Sequence, residues 1–335
     1  MHTDDNRIRW DRLPKTSSNK HARAWLRLQC LLGLALNTIA SYGRALEEFL
    51  TWCDQHACNA VELDRVGVAR YLKDAETRRT RPLSNASLLL RQTVLRLFFD
   101  YLVEEGVRTS NPVGRNRRIW ERTSWRPAPV RRLERLPWIP SDADWLQFLA
   151  ECRKHTLRTR CMVALAYDCG LRREELCKLE ARDFDPAHRT VRVRAETSKS
   201  RRDRVVIYSA TAGSLYASYL RDRRVLAGRS GAVFLSESRR NLGQPITRWT
   251  WSKVVRRIAL GAGLPEFSTH TLRHLCLTDL ARAGWGIHEI ATFAGHRNVS
   301  VTQRYIHLSG RDLADKLARS AASVRSSRIL PLEVL

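Results

Sequence analysis

Residues 190–208 read TVRVRAETSKSRRDRVVIY. Thr190–Ala195 and Arg204–Tyr208 alternate apolar and polar side chains, as strands of a half-buried sheet do, and Thr197–Asp203 is the turn between them. Nearly every other patterned stretch has a helical period, so this hairpin sets the class as mainly α with a small antiparallel β-sheet. The turn is also chemically unusual. Six basic and two acidic residues lie between Arg192 and Arg204, and Lys199 is the only lysine between Lys178 and Lys253. A phosphate-facing hairpin explains the charge. Arginine, however, does not release a proton in proteins, whereas a lysine with a lowered pKa does, so Lys199 is a candidate general acid for a leaving alkoxide.

Outward from the hairpin the period is helical. Asp144–Cys152, Arg158–Cys169 and Arg173–Leu179 precede it; Thr247–Leu260, Thr269–Ala283, Ile287–Phe293 and Val301–His307 follow, with Val233–Leu235 as a further short strand. Together they make an α+β domain over 139–322. Upstream, Arg115–Arg135 holds eight arginines against two glutamates, with Pro127 and Pro129 among them. Proline and charge repulsion make 114–138 an extended basic linker, either a strap along a phosphate backbone or a solvated tether. Before it, 21–113 is a helical domain. Leu36, Ile39, Leu46, Phe49 and Leu50 share the face of a helix opened by Asn37 or Thr38, and Val61–Tyr71 suggests a shorter one. Ser84 or Asn85 caps a long helix carrying Leu88, Leu95, Phe98, Phe99 and Leu102, closed at Gly106 and stopped by Asn111-Pro112. Residues 1–20 read as a flexible arm, and 323–335 as an apolar tail available for inter-subunit contact.

Composition bounds what such a chain does. Its 335 residues have room for two domains with a buried core each. Lys and Arg number 59 against 34 Asp and Glu, a formal net charge of +25, and eight of the 59 are lysines. That much uncompensated charge repels itself unless it meets a polyanion, which makes nucleic acid the expected partner. The arginine excess suits phosphate and guanine recognition, and GC-rich coding would produce the same bias. A membrane function is not expected, because the longest apolar stretch, near Cys30–Leu36, falls far short of the roughly 20 residues that span a bilayer. MHTDDNRIRW holds no apolar core for a signal peptide. Eight cysteines without a CxxC pair read as reduced thiols, and Cys53-Asp-Gln-His56-Ala-Cys58 matches no zinc template. A cytoplasmic, metal-free protein is expected.

Three further clusters carry chemistry. In Gly170-Leu171-Arg172-Arg173-Glu174-Glu175-Leu176 a glycine turn leads into a helix and sets Arg172 at its amino-terminal end, where free N–H groups and the dipole attract anions. Arg172 there can grip a phosphate bidentately, or lie on the surface paired with Glu174 or Glu175. In His270-Thr271-Leu272-Arg273 the i, i+3 spacing puts His270 and Arg273 on one helical face. The histidine exchanges protons near neutral pH and the arginine neutralises charge; His274, beside them, reads as a core or supporting residue. From Gly295-His296 to Tyr305 a turn and a short helix bring a histidine and a tyrosine towards one point. A phenol leaves well enough for a phosphotyrosine bond to be reversed, although most tyrosines merely pack.

Taken in order, these clusters resemble those of the tyrosine recombinases, the phage-integrase-like site-specific recombinases. Their pattern is an Arg in GLR-x-x-E-L, a β-hairpin Lys, H-x-x-R, G-H and a final Tyr. It is matched by Arg172, Lys199, His270, Arg273, His296 and Tyr305. The helices before Pro112 resemble the family's core-binding domain, with Thr38–Tyr42 opening one and Leu95–Leu102 within another. Departures are small: Cys169 where Thr is common, Ala294 where Leu often precedes Gly-His, and serines instead of glycines beside Lys199.

The resemblance implies a helical core-binding domain and an α+β catalytic domain that form a clamp around DNA. It implies that Tyr305 attacks a scissile phosphate, leaving a 3′-phosphotyrosine and a free 5′-hydroxyl, on the way to a Holliday junction. Arg172 and Arg273 would hold the non-bridging oxygens, His270 would assist proton transfer with Tyr305, Lys199 would protonate the leaving 5′-oxygen, and His296 would hydrogen-bond the phosphate. No carboxylate cluster suggests Mg²⁺ and no Walker-type loop suggests ATP, so no cofactor is expected. Implied partners are double-stranded DNA at a specific recombination site, a homo-tetramer in the synapse, and an accessory DNA-bending or directionality protein, all at the bacterial nucleoid. Two other functions would use the same features: a type IB topoisomerase-like relaxing enzyme, and a non-catalytic DNA-binding protein.

Overall fold

Three hydrophobic clusters organise the described residues, one in the unit Met1–Glu134 and two, a large and a small, in the unit Arg135–Leu335. The computed structural model describes residues 7–77, 82–113, 130, 133, 136–226 and 230–308. The first unit contains α1 (Pro14–Ser18), α2 (Lys20–Leu31), α3 (Leu36–Gln55), α4 (Arg65–Thr77) and α5 (Asn85–Glu104). The apolar stripe of α5 read from the sequence is buried, and so is that of α3 except for Leu36, which is 54% exposed at the start of the helix. Trp25 of α2 fills the space between them, stacked on Tyr42 and edge-on to Phe98. Ser84 caps α5 by accepting from the Ser87 N–H, and Gly106, at φ +69°, turns the chain so that the Val107 N–H returns to the Leu102 carbonyl.

Four expectations for this unit are corrected. Residues 8–20 are not a loose arm, because Ile8, Leu13 and Thr16 are buried and Glu47 of α3 accepts hydrogen bonds from Lys15 N, Thr16 N and Thr16 Oγ1. The shorter helix starts at Arg65, not Val61, since the Asp64 carboxylate accepts from the Gly67 N–H and fixes the first turn there. In α3, Asn37 and Thr38 lie inside the first turn; Ala35 occupies the cap without a side-chain bond. Of the expected linker, Val130 and Leu133 are joined to α5 through Gln92 and Asn85, and Val130 is buried in the first core. The remainder of Arg115–Arg135, and the tail 323–335, lie outside the described residues.

The second unit runs α6 (Asp142–Arg153), α7 (Leu157–Asp168), α8 (Arg173–Cys177), β1 (Phe184–Asp185), β2 (Thr190–Val193), β3 (Arg204–Ile207), α9 (Ala210–Leu226), α10 (Arg248–Gly261), α11 (Thr269–Arg282), α12 (Ile287–Ala294) and α13 (Ser300–Leu308). Helix α7 is central and packs against α9 and α11. The strands form one antiparallel sheet in the order β1-β2-β3, with Val191 opposite Val206 and Val193 opposite Arg204. Alternation buries Val191, Val193, Arg204 and Val206 on one face. The class expected from the sequence, mainly α with a small antiparallel sheet, holds. Val233–Leu235 is not a strand; it makes only an isolated bridge at Leu235, with another at Ala232 just before it. Helix α9 was not foreseen, because its buried face is built from Ala212, Tyr216 and Tyr219 and is interrupted by Gly213. No helix among the described residues is long and apolar enough to cross a membrane.

Gly43 lets α1 and α2 approach α3 closely, since a Cβ there would stand 2.7 Å from the Leu13 side chain. Leu13→Ala should therefore cost about 2–4 kcal/mol in urea unfolding of the protein. A cost below about 0.5 kcal/mol, the range of ordinary surface changes, would return residues 8–20 to a loose arm.

Candidate active site

The site begins where α7 ends. Gly170 adopts φ +53°, and a Cβ there would meet Phe293 and Cys276 at 3.3 and 3.4 Å. The turn delivers Arg172 in extended conformation to the amino-terminal end of α8. Glu175, one turn on, reaches back: one oxygen accepts from the Arg172 N–H at 2.9 Å, the other from its guanidinium at 2.8 Å. Arg204 of β3 donates both terminal nitrogens to the same carboxylate, at 3.1 and 2.6 Å. Glu175 is 1% exposed and the Arg204 side chain 6%. Burial alone would raise the Glu175 pKa; the hydrogen bonds and charges of Arg204, then the charge of Arg172, outweigh it and hold it at about 2. Arg172 is not free: it is half-buried and paired with Glu175, one of the two partners the sequence offered. Its other nitrogen donates to the Gly295 carbonyl at 3.3 Å, which ties α8 to the loop after α12.

Arg273 of α11 is 4% exposed, and its guanidinium donates to the carbonyls of Gly170 and Ala294 and to His296 Nε2 at 3.0 Å. Loss of hydration, then the nearby Arg172 charge, lowers its pKa to about 10, so it stays charged at neutral pH. Arginine only donates, so His296 Nε2 must accept and the ring proton sits on Nδ1, which donates to Thr302 Oγ1 at 2.9 Å. Burial, followed by the charges of Arg273 and Arg172, lowers the His296 pKa to about 3. Both ring nitrogens are thus engaged within the protein.

Tyr305 of α13 is 2% exposed, packed with Cys276, Leu277, Ile290 and Ala294 and stacked on the His296 ring at 6.2 Å. Burial raises its pKa, against the lowering charges of Arg273, Arg304 and Arg172. Its hydroxyl shares a 2.9 Å hydrogen bond with Nδ1 of His274, not with His270. This is the chief departure from expectation. His270 is exposed near the start of α11, its ring 6.4 Å from that of His274. Lost hydration, then the charges of Arg173, Arg273, Arg172 and Lys199, lowers the His270 pKa. Burial, then its neighbours His270 and Arg273, brings His274 to about 4. Lys199 is exposed on the β2–β3 turn, close enough for its charge to bear on His270. Sequence reasoning undervalued Glu175 and His274. The signal for His274 was its i+4 spacing from His270, one full turn on the same face.

The model of the phage integrase family matches residues 141–311, and that of the phage integrase N-terminal SAM-like domain matches 25–106. The chain belongs to the phage integrase family. Among curated relatives it is 30% identical over 311 residues to the tyrosine recombinase XerC of Chromohalobacter salexigens, covering 86% of this chain and 98% of that one. It is 29% identical to the XerD of Caulobacter vibrioides, covering 84% and 88%. The fold is similar to that of a XerH site-specific recombinase bound to a palindromic difH substrate, with TM-score 0.68, 20% identity, and coverage of 96% and 89%. It is also similar to that of the Tn1549 transposon integrase in complex with transposon right-end DNA, with TM-score 0.67, 17% identity, and coverage of 88% and 98%. The protein is accordingly a tyrosine recombinase, an enzyme of DNA strand breakage and rejoining.

The neutral histidines make the fold sensitive to acid. His274 and His296 have lowered pKa values when folded, so the unfolded chain binds more protons as pH drops below the ordinary value near 6.5. Stability from their neutral burial is present above pH 6.5 and is lost as pH falls towards 4 for His274 and 3 for His296. Between pH 7 and 5, urea unfolding should weaken by about 1–2 kcal/mol per histidine. His274→Gln and His296→Gln should each flatten this dependence, and an unchanged slope would refute the neutral assignment.

Proposed function

We propose that Arg172, Lys199, His270, Arg273, His296 and Tyr305 form the strand-cleaving centre of a site-specific recombinase acting on double-stranded DNA. The observation that carries this is the stack of Tyr305 on a histidine whose Nε2 is bonded to Arg273, with Arg172 bonded to the carbonyl just before that histidine. A nucleophile, two fixed cations and neutral bases thus share one pocket. Such preorganised charge is how phosphoryl transfer is catalysed when the protein has little covalent chemistry to do.

The Tyr305 oxygen attacks phosphorus, the bond to the 5′-oxygen breaks, and a 3′-phosphotyrosine forms. Arg172 and Arg273 neutralise charge on the non-bridging oxygens. The phenolic proton passes to the histidine pair: His274 Nδ1 is hydrogen-bonded to the hydroxyl and takes the proton when its own lies on Nε2, and His270 lies one turn away. Lys199 supplies the proton to the leaving 5′-oxygen. Attack by another 5′-hydroxyl reverses each step and rejoins strands through a Holliday junction, in a homo-tetrameric synapse whose subunits clamp the duplex. Integration, excision or resolution of a mobile element or replicon in the bacterial cytoplasm is the setting this chemistry serves, with an accessory DNA-bending or directionality protein as a further partner.

Tyr305→Phe removes one oxygen and no charge. With a nicked suicide substrate, wild type should form a covalent adduct and the variant none, while site binding stays within about twofold, as expected when no phosphate contact is lost. An adduct in the Phe variant would displace Tyr305 as nucleophile. Relaxation of supercoiled plasmid lacking any recombination site would favour the topoisomerase-like alternative.

A further inference from the structure

Between β2 and β3 the turn is pinned from inside. Ser198 and Ser200, each 5% exposed, flank an exposed Lys199. Lys199 and Ser200 are the central residues of a turn, and with both serine side chains buried against the unit the lysine is the one left facing outward. The two hydroxyls share a 2.8 Å hydrogen bond, and Ser198 Oγ lies 3.4 Å from Glu175 Oε1 as its donor. The Ser200 N–H donates to Ser198 Oγ, and the Arg201 N–H to the Ser198 carbonyl, closing a tight turn with Arg201 at φ +51°. From outside, Arg297 Nε donates to the Ser200 carbonyl at 3.0 Å. Arg297 directly follows His296, and Glu175 is the carboxylate that holds Arg172. The turn is therefore fastened to both loops that carry phosphate-facing groups.

None of these fastenings is needed to satisfy Glu175, which already has Arg172 and Arg204 as partners. Surface turns of this kind are ordinarily mobile, and a mobile lysine is a poor proton donor because it must be found in place at each attempt. We propose that Ser198 and Ser200, braced by Arg297, are positioning residues that preset Lys199 over the scissile phosphate. The glycines common beside the hairpin lysine elsewhere in the family cannot make these bonds. The inference rests on Lys199 being the proton donor of the proposed function.

Ser198→Ala/Ser200→Ala removes two neutral, buried hydroxyls and no phosphate contact, so DNA affinity and unfolding temperature should stay near wild type. Single-turnover cleavage of an ordinary phosphodiester at saturating DNA should slow at least about tenfold, a part of the roughly hundred- to ten-thousandfold that a placed general acid supplies. On a substrate whose leaving 5′-oxygen is replaced by sulfur, the thiolate leaves without a proton, and the variant should cleave like wild type. Arg297→Ala, a change at an exposed residue that cannot hollow the core, should show the same pattern in milder form. Equal slowing on both substrates would mean general damage to the site and overturn the proposal. Unimpaired cleavage of the phosphodiester would do the same. Lys199→Ala run in parallel separates the two levels of the argument: if sulfur does not rescue it, Lys199 is not the donor and the inference falls with that assignment. If sulfur rescues Lys199→Ala while the serine variant behaves like wild type, only the positioning role is lost.

Discussion

The carboxylate of Glu175 is buried between two guanidinium groups, and the arrangement of the second unit around the site depends on it. Arg204 binds it from the sheet, Arg172 from the turn before α8, and Ser198 from the hairpin. Without the carboxylate, Arg204 would be a buried cation with no counter-charge, a loss on the order of 3–5 kcal/mol for a broken buried pair. The neighbouring backbone is shaped to the same end. Gly295 has φ +63°, and a Cβ there would come within 3.1 Å of the Arg204 guanidinium. Its carbonyl meanwhile accepts from Arg172. A mainly helical unit keeps a small sheet because β3 must carry Arg204 to this point.

A second constraint runs through α11. Arg273 spends its donors on two carbonyls and on His296, which settles the tautomer of that ring and turns its remaining proton towards the fully buried Thr302. His296 then offers a flat face on which Tyr305 stacks. The tyrosine is positioned twice, by its ring on one histidine and by its hydroxyl on another. Its burial raises the phenol pKa, so in the proposed reaction the proton would have to pass to a histidine, no phenolate standing ready at neutral pH.

What was legible in the sequence follows from how local each signal is. The stripe of α5, that of α3 beyond Leu36, the Ser84 cap and the Gly106 stop are each written within one helix, and they held. The strands flanking Lys199 were visible as alternation, and the cluster motifs put Arg172, Arg273, His296 and Tyr305 together. Where contacts are long-range, the sequence was silent. The capture of Thr16 by Glu47 spans 31 residues, so a polar stretch looked like a loose arm. Helix α9 buries tyrosines and alanines, which no apolar count separates from an ordinary surface pattern. The pairing of His274 with Tyr305 spans 31 residues as well, and nothing in H-x-x-R-H says which histidine meets the phenol.

The positive charges at the site bear on its histidines as well as on its ligand. Arg172, Arg173, Arg273 and Lys199 all depress His270, and Arg172, Arg204, Arg273 and Arg304 depress His296. Crowding like charges destabilises a fold, and here only Glu175 is buried among them as a counter-charge within the described residues. Burial first, and the same crowding second, keep the imidazoles unprotonated at neutral pH, and an unprotonated imidazole is what can accept a proton from a phenol. A phosphate between Arg172 and Arg273 would offset part of the repulsion and would also lift the histidine pKa values. Proton uptake would then become easier in the complex, when the nucleophile needs it, than in the protein alone. Anion binding and base strength would thus be coupled through one set of charges.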